Sequence, residues 1–292
     1  MRPEAFKTRI FLDGGDPEET QEILQLLGFL DGQTTNPTLI SRNPEARKHL
    51  EQGGAFTPEQ IQNFYREVVQ KISRIIPRGS ISIEVYADAS TKAEEMVAQG
   101  REMFSWINNA QIKYPTNPEG LKAANRSLHM GLRVNLTLCF SQEQAAGVYA
   151  ATKGAPKGSV YISPFVGRLD DRGENGMDLI ADIIRLYRQG DGHVEVLTAS
   201  VRSLDHLMYA LHLGSDIITA PFKVLEDWAD QGMPLPDMDY SYDQKKLKEI
   251  PFKDFDLNRE WQSFDLSHDL TAKGLESFSK DWKALITPPE KK

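Results

Sequence analysis

Short β-rich runs alternate with longer amphipathic stretches about eight times before residue 231, and no other feature limits the fold of this chain so strongly. The runs are Arg9–Leu12, Gly32–Thr35, Ser82–Tyr86, Ala110–Tyr114, Arg133–Leu138, Ser159–Ser163, His193–Thr198 and Asp216–Thr219. Between and after them lie Pro17–Leu30, Ile61–Ile76, Lys92–Ile107, Pro118–Met130, Gln142–Ala151, Met177–Gln189, Leu204–Leu213 and Val224–Asp230. In Pro17–Leu30, for example, Ile23, Leu26, Leu27 and Leu30 fall on one helical face. Strands alternating with helices of this length imply parallel βαβ units. Eight such units in roughly 230 residues fit a closed (β/α)8 TIM barrel better than an open doubly wound sheet.

Pro37–Ile76 is longer than one crossover needs. Gly53-Gly54 and Pro58 divide it into two predicted helices, and Thr57 with Gln60 has the form of a capping box opening the second. Residues 1–231 form the predicted catalytic barrel, and 232–292 a C-terminal extension belonging to the same domain. Met233–Phe264, rich in Pro, Asp, Tyr and Lys, reads as an irregular excursion. Ser267–Ile286 is helical again, with Leu275, Phe278, Trp282 and Leu285 on one apolar stripe. That stripe must dock, either on its own barrel or on a neighbouring subunit.

The net charge of -8 gives no global positive field for nucleic acid or an anionic membrane, so an anionic substrate must be met by a few placed cations. No run nears the roughly 20 apolar residues of a membrane span, and the start lacks the apolar core of a secretory signal. The expectation is a soluble, cytoplasmic protein. The single cysteine, Cys139, lies in the apolar run Leu136–Phe140 and reads as a buried structural thiol. The six histidines show no metal-ligand spacing, so neither a metal nor another cofactor is expected.

In such barrels, polar residues at the C-terminal strand ends line the active face. Here those positions carry Asp13; Thr34, Thr35 and Asn36; Glu84; Lys113; Asn135 and Thr137; Ser163 and Arg168; and Ser200 and Arg202. In Ala110–Pro115 the two-residue period puts Lys113 opposite Ile112. If Ile112 packs on the helices, Lys113 points inward, and dehydration favours the neutral amine that attacks a carbonyl. A rim lysine reaching water past Pro115 is the competing reading. Glu84, between Ile83 and Val85, would be its inward partner in catalysis or in a purely structural ion pair. Asp13 precedes Gly14-Gly15, so a turn alone would explain it. Arg168 and Arg202 with Ser163 and Ser200 make a reasonable phosphate clamp. Surface pairing with Asp170 or Asp171 competes with that reading, more strongly for Arg168 than for Arg202.

Five segments, in order, resemble motifs of the transaldolase and fructose-6-phosphate aldolase family. They are Thr34–Leu39, Ile112-Lys113 with the Glu119-Gly120 turn, Asn135–Leu138, Ile162–Arg168 and Ala199–Arg202. The resemblance implies a Schiff-base role for Lys113 and an acid/base role for Asp13. It implies a pair, Glu84 and Thr137, that handles the catalytic water. It further implies dihydroxyacetone binding by Asn36, Asn135 and Ser163, with Thr34 and Phe165 beside them, and a phosphate site at Arg168, Ser200 and Arg202. Glu84 and Phe165 stand where the transferases have Glu and Phe and the aldolases tend to have Gln and Tyr. Lys113–Leu121 and Leu270–Leu275 look more like the shorter, aldolase-like branch, whose members commonly form homo-oligomers. The implied function is transfer of a dihydroxyacetone unit between sugar phosphates. Fructose-6-phosphate cleavage, a silent sugar-phosphate-binding barrel and a phosphate-binding isomerase are the competing readings.

Overall fold

Every one of the eight predicted runs is a strand, and each pairs in parallel with the next until the last closes on the first. The computed structural model describes residues 2, 6–242, 244 and 246–286. Its strands are β1 (Arg9–Asp13), β2 (Gly32–Thr34), β3 (Ser80–Glu84), β4 (Ala110–Pro115), β5 (Val134–Cys139), β6 (Val160–Pro164), β7 (Val194–Thr198) and β8 (Ile217–Ala220). Helices follow the strands around the outside. The fold is a (β/α)8 TIM barrel.

Several helices begin with the same local chemistry. Asp16, Asn36, Asn43, Thr57 and Asn117 each accept a backbone N–H two or three residues on, and each is followed by proline. Proline there sets φ where its missing N–H is no loss. The capping box is present in both halves: Gln60 N–H donates to Thr57 Oγ1 (3.1 Å), and Thr57 N–H donates to Gln60 Oε1 (2.8 Å). The helix predicted to reach Leu30 stops at Leu27, because Gly28 takes a left-handed φ of 74° and its N–H closes on Leu24 O.

One expectation is corrected. The stretch predicted to hold two helices holds three, Pro37–Ser41, Pro44–Glu51 and Pro58–Ile75. Asn43-Pro44 is the missed break: Pro44 disfavours helical backbone at Asn43, whose side chain then caps the next helix through Glu45 N–H (2.9 Å). The short first helix carries the segment after β2 across the mouth of the barrel.

What aims Lys113 is packing on the outside of β4. Ile112 and Tyr114 are fully buried against the helix Ala93–Phe104. At Gly100 a Cβ would sit 2.0 Å from Tyr114 Oη and 3.2 Å from Ile112 Cγ2. Tyr114 Oη also hydrogen-bonds Ser127 Oγ at 2.8 Å. With these two side chains outward, the pleat turns Gln111 and Lys113 into the barrel. We expect Gly100→Ala to destabilise the protein by about 1–3 kcal/mol through overpacking. Adding Tyr114→Phe should recover part of that loss, as read by the urea midpoint.

The terminal helix, Asp269–Ile286, lies across its own barrel's C-terminal mouth. Thr271 Oγ1 donates to Leu138 O (2.9 Å), Ser279 Oγ and Tyr86 Oη are 3.0 Å apart, and Leu285 O accepts from Phe56 N–H (2.9 Å). Thr38 hydrogen-bonds Asp281. Of the predicted stripe, Leu275, Phe278 and Leu285 are buried and Trp282 packs beside Tyr65, ring centroids 5.9 Å apart. The excursion before it straps the outer helices through side-chain anchors. Tyr242 Oη donates to Asn175 Oδ1 (2.5 Å), Ile250 N–H to Asp178 Oδ2 (3.1 Å), and Lys253 N–H to Gln142 Oε1 (2.6 Å). Among the described residues no helix is long and apolar enough to cross a membrane.

Candidate active site

Parallel register sets the centre of the site. Glu84 at the end of β3 lies beside Lys113 on β4, and Lys113 beside Asn135 on β5. Neighbours in register on parallel strands project to the same side, so all three point into the barrel. Lys113 Nζ lies 2.9 Å from Glu84 Oε2 and donates to Thr35 O at 3.1 Å. Both side chains are only 3% exposed. The rim reading of Lys113 is thereby excluded.

Burial raises the Glu84 carboxyl above its ordinary value, with the charges of Lys113 and Arg168 opposing that shift. Asp13, half-buried at the end of β1, is raised for the same main reason, offset by Lys113 and by the Thr34 hydroxyl. That hydroxyl donates to Asp13 Oδ1 (2.7 Å), which leaves Thr219 as the donor in the 2.6 Å Thr34–Thr219 contact. A proton passed from Nζ to Glu84 converts a buried ion pair into two neutral groups, a change that a dry environment favours.

The cavity above Lys113 has a volume of about 420 Å³. Asp13, Thr34, Asn36, Ser163, Phe165, Arg168, Ser200 and Arg202 line it together with Lys113. The other three predicted site residues lie beneath this lining. Glu84 pairs with Lys113; Asn135 Oδ1 accepts from Ser163 Oγ (2.7 Å) while its Nδ2 donates to Ser82 Oγ (3.1 Å). Thr137 is fully buried with its hydroxyl partnerless among the described residues. Asn36 has its Oδ1 committed to Leu39 N–H (2.9 Å) as a helix cap, so its amide N–H groups are what it offers the cavity.

The two arginines exchange the surroundings expected of them. Arg202 is the exposed one and pairs with Asp171 at 2.8 Å. Arg168 has no carboxylate partner among the described residues; its guanidinium carbon lies 5.5 Å from the Phe165 ring centre and 5.4 Å from that of Phe278. Burial lowers the Arg168 pKa from its usual value. Phe278 comes from the terminal helix, which no strand-end argument could place. Thr219, Thr38 and Arg42 also line the cavity without having been singled out. Thr219 had a signal, a polar residue at the end of the apolar run Ile217-Ile218.

Backbone strain gathers at the same place. Ser200 has φ 58°, and its carbonyl accepts from Gly167 N–H at 3.0 Å. A Cβ on Gly167 would sit 2.4 Å from that oxygen and 2.5 Å from Arg202 Cγ. On the phosphate-clamp reading of Arg202, Gly167→Ala should displace both and raise KM for a phosphorylated substrate at least about tenfold, with a smaller change in kcat. Steady-state kinetics would measure it, and an unaltered KM would remove Arg202 from the site. Cys139 is fully buried and its thiol is pushed up to about 12 by burial, an inert environment. Among the described residues no group of three His, Cys, Asp or Glu side chains is placed to hold a metal.

Residues 10–288 match the model of the transaldolase/fructose-6-phosphate aldolase family. A probable transaldolase of Lactiplantibacillus plantarum is 36% identical over 276 residues, 94% of this chain and 97% of the relative. One from Dehalococcoides mccartyi is 39% identical over 217 residues, 74% and 88% of the two chains, and one from a Roseiflexus species is 35% identical over 276, or 94% and 97%. A barrel with a buried lysine–carboxylate pair beneath a polar, arginine-rimmed cavity, matched over this length, belongs to the transaldolase/fructose-6-phosphate aldolase family.

Proposed function

We propose that the protein is a transaldolase, moving a dihydroxyacetone unit from a ketose phosphate to an aldose phosphate through a Schiff base on Lys113. The observation that carries this reading is the Lys113–Glu84 pair, 2.9 Å apart and 3% exposed, below a cavity shared with Asp13. A buried ion pair contributes little net stability, so its place in a barrel core favours a chemical role.

The neutral Nζ adds to the C2 ketone of the donor, and the resulting carbinolamine loses water to give an iminium. Glu84 and the free Thr137 hydroxyl handle that water. Asp13 takes the C4-hydroxyl proton, the C3–C4 bond breaks, and its electron pair flows into the iminium to leave an enamine on Lys113. The aldose phosphate departs. The enamine carbon then attacks the carbonyl of the acceptor, Asp13 returns a proton to the new alkoxide, and water releases the product from Lys113. Arg168 and Arg202, with Ser200, bind the phosphate, so binding energy far from the reacting carbons orients the sugar. Sedoheptulose 7-phosphate and fructose 6-phosphate are the donors of choice, reactions of the pentose phosphate pathway.

Fructose 6-phosphate with and without erythrose 4-phosphate is the test. Turnover should require the acceptor. Cleavage that proceeds equally without it makes the protein an aldolase that protonates the enamine and releases dihydroxyacetone.

A further inference from the structure

The barrel has a second polar cavity, at the end opposite Lys113. It occupies about 400 Å³ among the N-terminal ends of the strands, a size close to that of the first. Arg9 at the start of β1, Arg78 in the turn before β3 and Arg133 just before β5 all line it. The buried Tyr161 of β6 also faces it.

Its charges do not balance. Glu195 takes Arg9 at 2.8 Å, and Asp31 takes Arg2 at 3.2 Å together with Ile10 N–H at 2.9 Å. Each carboxylate already faces another arginine through one oxygen, Glu195 Oε1 or Asp31 Oδ2, while Arg78 and Arg133 have no carboxylate partner among the described residues. Among the described residues, two positive charges of this cavity thus have no carboxylate beside them, in a chain of net charge -8.

The donors are also held in place. Arg133 Nε donates to Ala110 O (2.9 Å) and Nη2 to Asn108 O (2.7 Å), with the guanidinium carbon 5.0 Å from the Phe104 ring centre. Nη1 is left to donate elsewhere. The Tyr161 hydroxyl accepts from Arg9 Nη1 at 3.1 Å, yet its own O–H has no acceptor among the described residues although the residue is 3% exposed. A fixed guanidinium, one without a carboxylate partner among the described residues, and a buried hydroxyl whose O–H has no acceptor among them therefore share one cavity.

We propose that this cavity binds a small phosphomonoester. Two guanidinium groups and one hydroxyl suit a dianion with three terminal oxygens, and the volume leaves room for a small organic group. The residues named lie at the N-terminal strand ends, so the ligand is not a second substrate for Lys113. Bound there, it ties the turns before β3 and β5 together.

The site can be located with tungstate soaked into crystals, read by anomalous scattering, and weighed by titrating inorganic phosphate and glycerol 3-phosphate calorimetrically. Tungstate should appear between Arg78 and Arg133, separately from any ion at Arg168 and Arg202. Arg78→Glu, an exposed change that leaves basal activity intact, should weaken this binding at least about tenfold, the effect of losing one charged hydrogen bond. Arg168→Ala should leave it untouched. Arg133→Lys keeps the charge but not the fork, and should weaken it less than Arg78→Glu. Tungstate confined to Arg168 and Arg202, or unchanged phosphate affinity in Arg78→Glu, overturns the proposal.

Discussion

On the proposed mechanism, Lys113→Met should abolish the adduct trapped by borohydride with fructose 6-phosphate and lower kcat/KM on the order of 10⁴-fold or more, since no other lysine among the described residues lines the cavity. Mass analysis of the reduced protein places the adduct. An adduct of undiminished yield in the variant, or turnover within tenfold of wild type, would remove the Schiff base from the mechanism. The same substitution leaves Glu84 buried without its partner. Removing one member of a buried pair costs roughly 3–5 kcal/mol, here lessened because burial already favours the protonated carboxyl. Lys113→Met with Glu84→Gln removes both charges and should restore much of the lost stability, as urea denaturation would measure. Activity and stability would then separate: the double variant folds well and does nothing.

In the proposed mechanism only carbon–carbon cleavage needs Asp13 as a base, so Asp13→Asn should lower kcat by about 10²–10⁴-fold while the adduct on Lys113 still forms. The Asn oxygen can still accept from Thr34, so the geometry survives. The pH behaviour follows from the raised carboxyl. As the proposed base Asp13 must be ionised, so the acid limb of the wild-type rate profile should be shifted upward from that of an ordinary Asp and vanish in the variant. For stability the sign is opposite to that of a salt-bridged Asp. A carboxyl with a folded-state value above its unfolded one favours folding at low pH, and that contribution is lost as pH rises through the folded value. At neutral pH the wild type therefore carries a cost that Asn does not, and Asp13→Asn should melt no lower, and on this term higher, than wild type. A variant with full kcat would show that another group takes the C4-hydroxyl proton.

The strands were legible because each carries its own pattern. Ile112 and Tyr114 alternate with Gln111 and Lys113, and a period of two has a single reading on a pleated strand. The polar strand ends were legible for the same reason, and nine of the predicted groups line one cavity. The break at Asn43-Pro44 was missed because the glycine pair farther on drew the division instead. The neighbours of the two arginines were misjudged for a different reason. Asp170 and Asp171 are adjacent in sequence, but the turn of helix after β6 hands Asp171 to Arg202 and leaves Arg168 between two aromatic rings.

The sequence by itself determined the barrel, the order of its strands and which side chains stand at their C-terminal ends, since these follow from periodicities and caps acting within a few residues. Only the tertiary structure decided that Nζ of Lys113 meets Glu84, that the terminal helix covers its own barrel and lends Phe278 to the cavity, and that two arginines at the opposite end have no carboxylate partner among the described residues. Those depend on register, closure and docking between segments as much as 243 residues apart. No local pattern encodes a distance across a barrel.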